Sequence, residues 1–119
     1  MVTQIFIRGL QFFAYHGVSS EERIVGHRFV LDLTCEVNQT AGISDRIEES
    51  VNYVEVASIA VGAATSGRFS TVERAATVIG ERLISAFPTI TAVTIRLGKI
   101  APSIELTVAE VGVELRVSR

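Results

Sequence analysis

Cysteine is nearly absent from this 119-residue chain, which carries only Cys35. A single thiol excludes an internal disulfide, and its place in an alternating apolar run marks it as a buried strand residue rather than a nucleophile. Histidine is almost as scarce: His16 and His27 are the only two. They lie apart, and no His-x-His or Glu-x-x-His pair occurs, so the usual ligand spacing of a catalytic metal is missing. Phosphate loops of the Gly-x-x-x-x-Gly-Lys type and Gly-x-Ser-x-Gly nucleophile turns are missing too. No apolar run approaches the roughly 20 residues that span a bilayer, which argues against a membrane partner. The chain enters an alternating pattern at once (Gln4, Ile5, Phe6, Ile7, Arg8) without an export signal, so a cytoplasmic protein is expected. The formal charge is -2 and the basic residues are scattered, which removes the simplest ground for a nucleic-acid partner. Lysine is the rarest charged residue: of 11 Lys+Arg, only Lys99 is a lysine.

What is present is apolar. Hydrophobic residues make up 48% of the chain and the mean hydropathy is +0.40, more than one small domain easily hides from water, so burial between subunits is expected. Without linker, repeat or low-complexity tract, residues 1–119 read as one domain. Phe29, Leu31, Leu33, Cys35 and Val37 alternate with Val30, Asp32, Thr34 and Glu36, the period of a strand with one face on a core. A strand from about Gln4 to Tyr15 precedes it, with Gly9 able to host a bulge, and the two form a wide hairpin. Asn52 with Glu55, and Ser70 with Glu73, give two helix starts of capping-box spacing. Val56, Ile59, Ala60 and Ala63 share one helical face; Val72, Ala75, Ala76, Ile79, Leu83 and Phe87 share another, which Pro88 ends. Strand periodicity returns at Val93, Ile95 and Leu97 and again at Val111, Val113, Leu115 and Val117. The order ββααββ predicts an α+β domain, a four-stranded antiparallel sheet with both helices on one face. Open sheet edges then invite closure by neighbouring subunits.

Four polar residues fall at the ends of these elements: Glu22 in the loop after the first strand, Tyr53 and Glu73 at the helix starts, Lys99 at the third-to-fourth strand connection. Each has an ordinary explanation, respectively a solvated loop charge, an amphipathic helix-start residue, a capping-box carboxylate and a hairpin solubiliser.

Taken with their local sequences, they point further. Ile5-Phe6-Ile7-Arg8-Gly9-Leu10, Tyr15-His16-Gly17-Val18, Glu22 with Gly26, Ser50-Val51-Asn52-Tyr53, Thr71-Val72-Glu73-Arg74-Ala75-Ala76, Lys99 and Val111-Gly112-Val113-Glu114-Leu115 resemble the dihydroneopterin aldolase family across essentially the whole chain. The resemblance implies the tunnelling fold, or T-fold, in which the sheets of four subunits form a barrel and two rings stack into an octamer. It implies a lyase of folate biosynthesis that splits 7,8-dihydroneopterin, by retro-aldol cleavage, into glycolaldehyde and 6-hydroxymethyl-7,8-dihydropterin. The substrate's own C6=N5 imine accepts the electrons, so neither metal, Schiff base nor cofactor is required. By the same resemblance Lys99 transfers protons, Glu73 anchors the pterin with backbone help from Val72, and a neighbouring subunit supplies Tyr53 and a backbone contact from Val51. Glu22 engages the hydroxylated tail, with Glu21 as its substitute.

The chain departs from the family in Ile100-Ala101-Pro102-Ser103-Ile104-Glu105, where a Pro-Ile-Pro-Gly-like stretch is common, and in His27, where a glutamine often follows the glycine. Substrate-tail specificity is the property most exposed to these changes. The alternatives are dihydroneopterin triphosphate 2′-epimerase, which needs converging cations for its substrate, and a noncatalytic pterin-binding or assembly module, which has no use for all four polar residues.

Overall fold

The computed structural model describes residues 1–102 and 104–119. In chain order the elements are β1 (Val2–Ala14), α1 (Ser20–Val25), β2 (His27–Asn38), α2 (Ala41–Ser44), a 3-10 turn (Ile47–Glu49), α3 (Tyr53–Ala64), α4 (Val72–Ala86), β3 (Ile90–Ile100) and β4 (Glu110–Ser118). The four strands form one antiparallel sheet in the order β1-β2-β3-β4, so the expected α+β arrangement holds. The expected order ββααββ is short of two helices. At 6 and 4 residues, α1 and α2 are too brief to show a helical period. The connection between β1 and β2 is therefore a helical excursion rather than a plain loop.

One face of the sheet is dry. Phe29, Leu31, Leu33, Cys35 and Val37 of β2, and Val93, Ile95 and Leu97 of β3, are buried against Val56, Ala60, Ala63 and Ala64 of α3 and Ala75, Ala76, Ile79 and Leu83 of α4. The run of alanines lets the two helices lie close together over the sheet. Gly9 keeps β1 in phase: its φ of 71° suits glycine, the register shifts between Ile7 and Leu10, and Ile5, Ile7, Leu10, Phe12 and Ala14 all pack toward the core. The Gly9 N–H donates to the Asp32 carboxylate at 2.7 Å. The opposite face is charged, with Arg96 paired to Glu110 at 2.7 Å and Arg116 to Glu36 at 3.2 Å. Among the described residues no helix is long and apolar enough to cross a membrane.

Helix ends are capped locally and at a distance. Asn52 starts α3 as expected, accepting the Val54 N–H at 2.9 Å. The start of α4 differs from expectation by one residue: Thr71, not Ser70, is the N-cap, and its hydroxyl accepts the Arg74 N–H at 3.1 Å. The other end of α4 is closed by the Arg119 guanidinium, which donates to the carbonyls of Phe87 at 2.9 Å and Ile90 at 3.1 Å and also reaches that of Ile84.

Two buried groups bear on pH and redox behaviour. Burial pushes the Cys35 thiol up to about 11, which leaves it protonated at neutral pH and unreactive. His16 is fully buried. Its Nδ1 accepts the Phe69 N–H at 3.0 Å, which leaves Nε2 as the donor to the Ala64 carbonyl at 2.6 Å. The ring thus pins the segment after β1 to the connection between α3 and α4. Desolvation lowers its pKa; the Ala64 bond opposes this and the charge of Lys99 adds to it. A lowered folded-state value means that the unfolded chain takes up the proton first as the pH falls. The stability from neutral His16 is therefore complete above the unfolded value of about 6.5 and is lost as the pH drops through the folded value. Urea unfolding at fixed protomer concentration should show stability falling as the pH drops below the unfolded value of about 6.5. His16→Gln, which keeps a donor and an acceptor but does not titrate, should flatten that slope.

Candidate active site

At one end of the sheet the dry face runs out of helix and holds a charge. Lys99 is the next-to-last residue of β3, paired with Phe29 on β2 and Val111 on β4. It therefore lies within the ladder, not in the strand connection where the sequence had suggested it. It shares the covered face with Leu97 and Ile95, and only 14% of its side chain is exposed. An ammonium in such a position requires a partner, and Glu22 supplies one: the Lys99 Nζ donates to Glu22 Oε2.

Glu22 stands on α1 rather than in an open loop. It closes a capping box with Ser19, in which Ser19 Oγ accepts the Glu22 N–H at 3.2 Å and Glu22 Oε1 accepts from Ser19 Oγ at 3.1 Å and Ser19 N at 3.3 Å. One carboxylate oxygen thus holds the helix start and the other holds Lys99. The hydrogen bond from Lys99 is the main reason that the Glu22 carboxyl lies below its ordinary range, with burial opposing and Ser19 assisting.

Around this pair opens a cavity of about 530 Å³ lined by Glu21, Glu22, Val25, Gly26, His27, Val72, Glu73, Lys99, Pro102, Ile104, Val111, Gly112 and Val113. Its volume suits a small-molecule ligand. Four of the six residues singled out from the sequence meet here: Lys99, Glu22, Glu73 and Val72. Glu21 lines the same cavity, but Glu22 is the carboxylate bonded to Lys99. Glu73 is the second residue of α4. Because Thr71 caps that helix, the expected capping-box role of Glu73 is replaced by a carboxylate exposed at the cavity.

Tyr53 and Val51 are not brought into the cavity of their own chain. Val51 is buried in the core. Tyr53, first residue of α3, is 65% exposed. The sequence reading noted His27 only as a departure from the family's glutamine, and not as the residue whose Nε2 donates to the Ile100 carbonyl at 2.6 Å and ties the start of β2 to the strand end just after Lys99. It missed the apolar walls Val25, Val111 and Val113 and the cap Ser19, although Ser19-x-x-Glu22 carries a capping-box signature. In the altered segment after Lys99, Pro102 and Ile104 line the cavity, and Ala101 has a φ of 45°; Ser103 lies outside the described residues.

An ion-paired lysine under apolar walls, with further carboxylates at the rim, is equipment for acid-base chemistry on a small polar molecule. Comparison with known proteins identifies the family. The family model of dihydroneopterin aldolase matches residues 5–116. The dihydroneopterin aldolase of Methylorubrum extorquens is 34% identical over 97% of this chain and 89% of its own. That of Streptococcus pyogenes serotype M3 is 34% identical over 98% of both chains. The crystal structure of Escherichia coli dihydroneopterin aldolase in complex with neopterin superposes with a TM-score of 0.87, at 27% identity, covering 98% of this chain and 99% of that one. The chain belongs to the dihydroneopterin aldolase family, with its T-fold and its function as a lyase of folate biosynthesis.

The position of the Thr71 cap separates two properties that the sequence had joined. Thr71→Ala should cost about 1 kcal/mol of stability and leave pterin affinity nearly unchanged. Glu73→Gln should leave the melting temperature in place and, on the expectation from the sequence that Glu73 anchors the pterin, lower pterin affinity at least tenfold. Thermal unfolding alongside equilibrium titration with 6-hydroxymethylpterin checks both.

Proposed function

We propose that the cavity binds 7,8-dihydroneopterin and that Lys99 passes the protons of its retro-aldol cleavage. The observation that carries this reading is the Glu22–Lys99 pair in a cavity that also presents Glu73. Glu73 accepts two hydrogen bonds from the amino group and adjacent N–H of the pterin ring, the fork geometry a carboxylate favours. The Val72 backbone supports the ring edge. Glu22 faces the hydroxylated tail. As a base withdraws the 2′-hydroxyl proton, the bond between C1′ and C2′ breaks, and its electron pair enters the C6=N5 imine. Glycolaldehyde leaves, and protonation of the exocyclic carbon gives 6-hydroxymethyl-7,8-dihydropterin. The substrate is its own electron sink, so proton transfer and recognition suffice.

The site is completed by a second copy of the chain, which supplies Tyr53 to stack on the ring and join the proton relay and Val51 for a backbone contact. Support comes from the exposure of Tyr53 and Val54 at the start of α3, and of Val18, Ile24 and Val25 around α1. The two uncapped edges of the sheet, β1 and β4, support closure into a four-subunit barrel; the stacking of two such rings into an octamer and a place in the cytoplasm belong to the same reading. The triphosphate epimerase is the weaker reading: among the described lining residues Lys99 is the only lysine or arginine, against three carboxylates, a poor match for a triphosphate.

Incubation with 7,8-dihydroneopterin should release glycolaldehyde; inversion of the triphosphate alone would transfer the activity to the epimerase. Lys99→Arg keeps the positive charge but does not surrender a proton, so it should bind 6-hydroxymethylpterin while single-turnover cleavage falls by roughly 10²–10⁴. Cleavage at the native rate would remove Lys99 from the relay. Mixing inactive Tyr53→Phe and Glu73→Gln chains under conditions of subunit exchange should restore part of the activity, because one class of mixed site is then intact. No recovery despite verified exchange would refute a site built from two chains.

A further inference from the structure

Glu22 faces two demands at once. Its Oε1 is held by Ser19, from the hydroxyl at 3.1 Å and the backbone N–H at 3.3 Å, while its Oε2 meets Lys99. A glutamate side chain that is 43% exposed has several rotamers open to it, and the Ser19 contacts select the one that presents Oε2 to the cavity. The surrounding turn is built to the same end. Arg23 donates from Nη1 to the carbonyls of Gly17 at 2.8 Å and Val18 at 2.7 Å, which fixes the approach to Ser19. Gly17 leaves the space that the Glu22 side chain occupies. A Cβ there would lie 2.7 Å from the Glu22 carboxyl carbon and 2.9 Å from Oε2, closer than side-chain packing allows. The Gly17 N–H in turn donates to the Phe69 carbonyl at 3.0 Å, so the turn is anchored to the body of the protein.

We propose that Ser19 is a positioning residue for the reaction, acting through Glu22 on Lys99, and that the capping box of α1 is the device that aims the carboxylate. The inference rests on the reading of Glu22 and Lys99 given under Proposed function. A purely structural cap makes a different prediction, since loss of a helix cap lowers stability whatever occupies position 22, whereas loss of an aiming contact matters only when a carboxylate is there to be aimed.

The test is a double-mutant cycle of Ser19→Ala and Glu22→Gln, with Ser19→Thr as the conservative variant, read as kcat and KM for 7,8-dihydroneopterin beside the melting temperature. Ser19→Ala should lower kcat on the order of tenfold with little change in KM, as expected for a lost hydrogen bond to a charged group. Ser19→Thr, which keeps the hydroxyl, should restore kcat. In the Glu22→Gln background, where the glutamine still accepts from the cap, Ser19→Ala should add less than about twofold. Native kcat in Ser19→Ala, or an equal loss in both backgrounds, would overturn the role of Ser19 while leaving that of Glu22 in place. Native kcat in Glu22→Gln alone would overturn the reading of Glu22 and this inference with it.

Discussion

The site depends on an ammonium placed where a hydrophobic residue would be expected. Lys99 continues the covered face that Ile95 and Leu97 line, and its side chain is largely removed from water. A charge in that position is tolerated when a counter-charge and hydrogen bonds replace its hydration. Glu22 does so from 77 residues away, and to do so it needs a firm mount, which α1 and its capping box provide. The local elaborations at this end of the sheet follow from that need: a short helix between two strands, a glycine behind it, and a histidine fastened to the carbonyl that follows Lys99.

Much of the framework was legible in the sequence because burial of one face imposes a period. The alternation from Phe29 to Val37 matched β2, and the spacing of Ala75, Ala76, Ile79 and Leu83 matched the buried face of α4. The bulge at Gly9 was legible for a different reason, since glycine marks backbone that other residues avoid. What escaped is shorter than a period or set by tertiary contact. The 6 residues of α1 never complete a pattern. Ser70 and Thr71 are both competent caps, and only the folded chain selects Thr71. The strand position of Lys99 was obscured because a charged residue on a covered face reads as the end of the strand. That Glu22 and Lys99 meet is a property of the β2–β3 register and the placement of α1, which no local pattern contains.

The same sheet serves two environments with one alternation. Its covered face is apolar as far as Lys99, and its open face carries Asp32, Arg96, Glu110, Glu36 and Arg116 in cross-strand pairs. A slip of one residue in any strand would exchange these sets, exposing the aliphatic side chains and burying the ions. The geometry at Lys99 is thereby tied to the register of the whole sheet: the ladder that sets Leu33 opposite Ile95 also sets Phe29 opposite Lys99.

The attachment of Arg119 has a consequence for the order in which the fold can be completed. Its guanidinium satisfies carbonyls at the end of α4, including that of Ile84, 35 residues earlier. During synthesis from the N-terminus that helix end stays open until the last strand has emerged and paired. α4, β3 and β4 therefore consolidate together, and amide protons in the final turn of the helix should exchange with those of β4 as one cooperative unit rather than with the helix start.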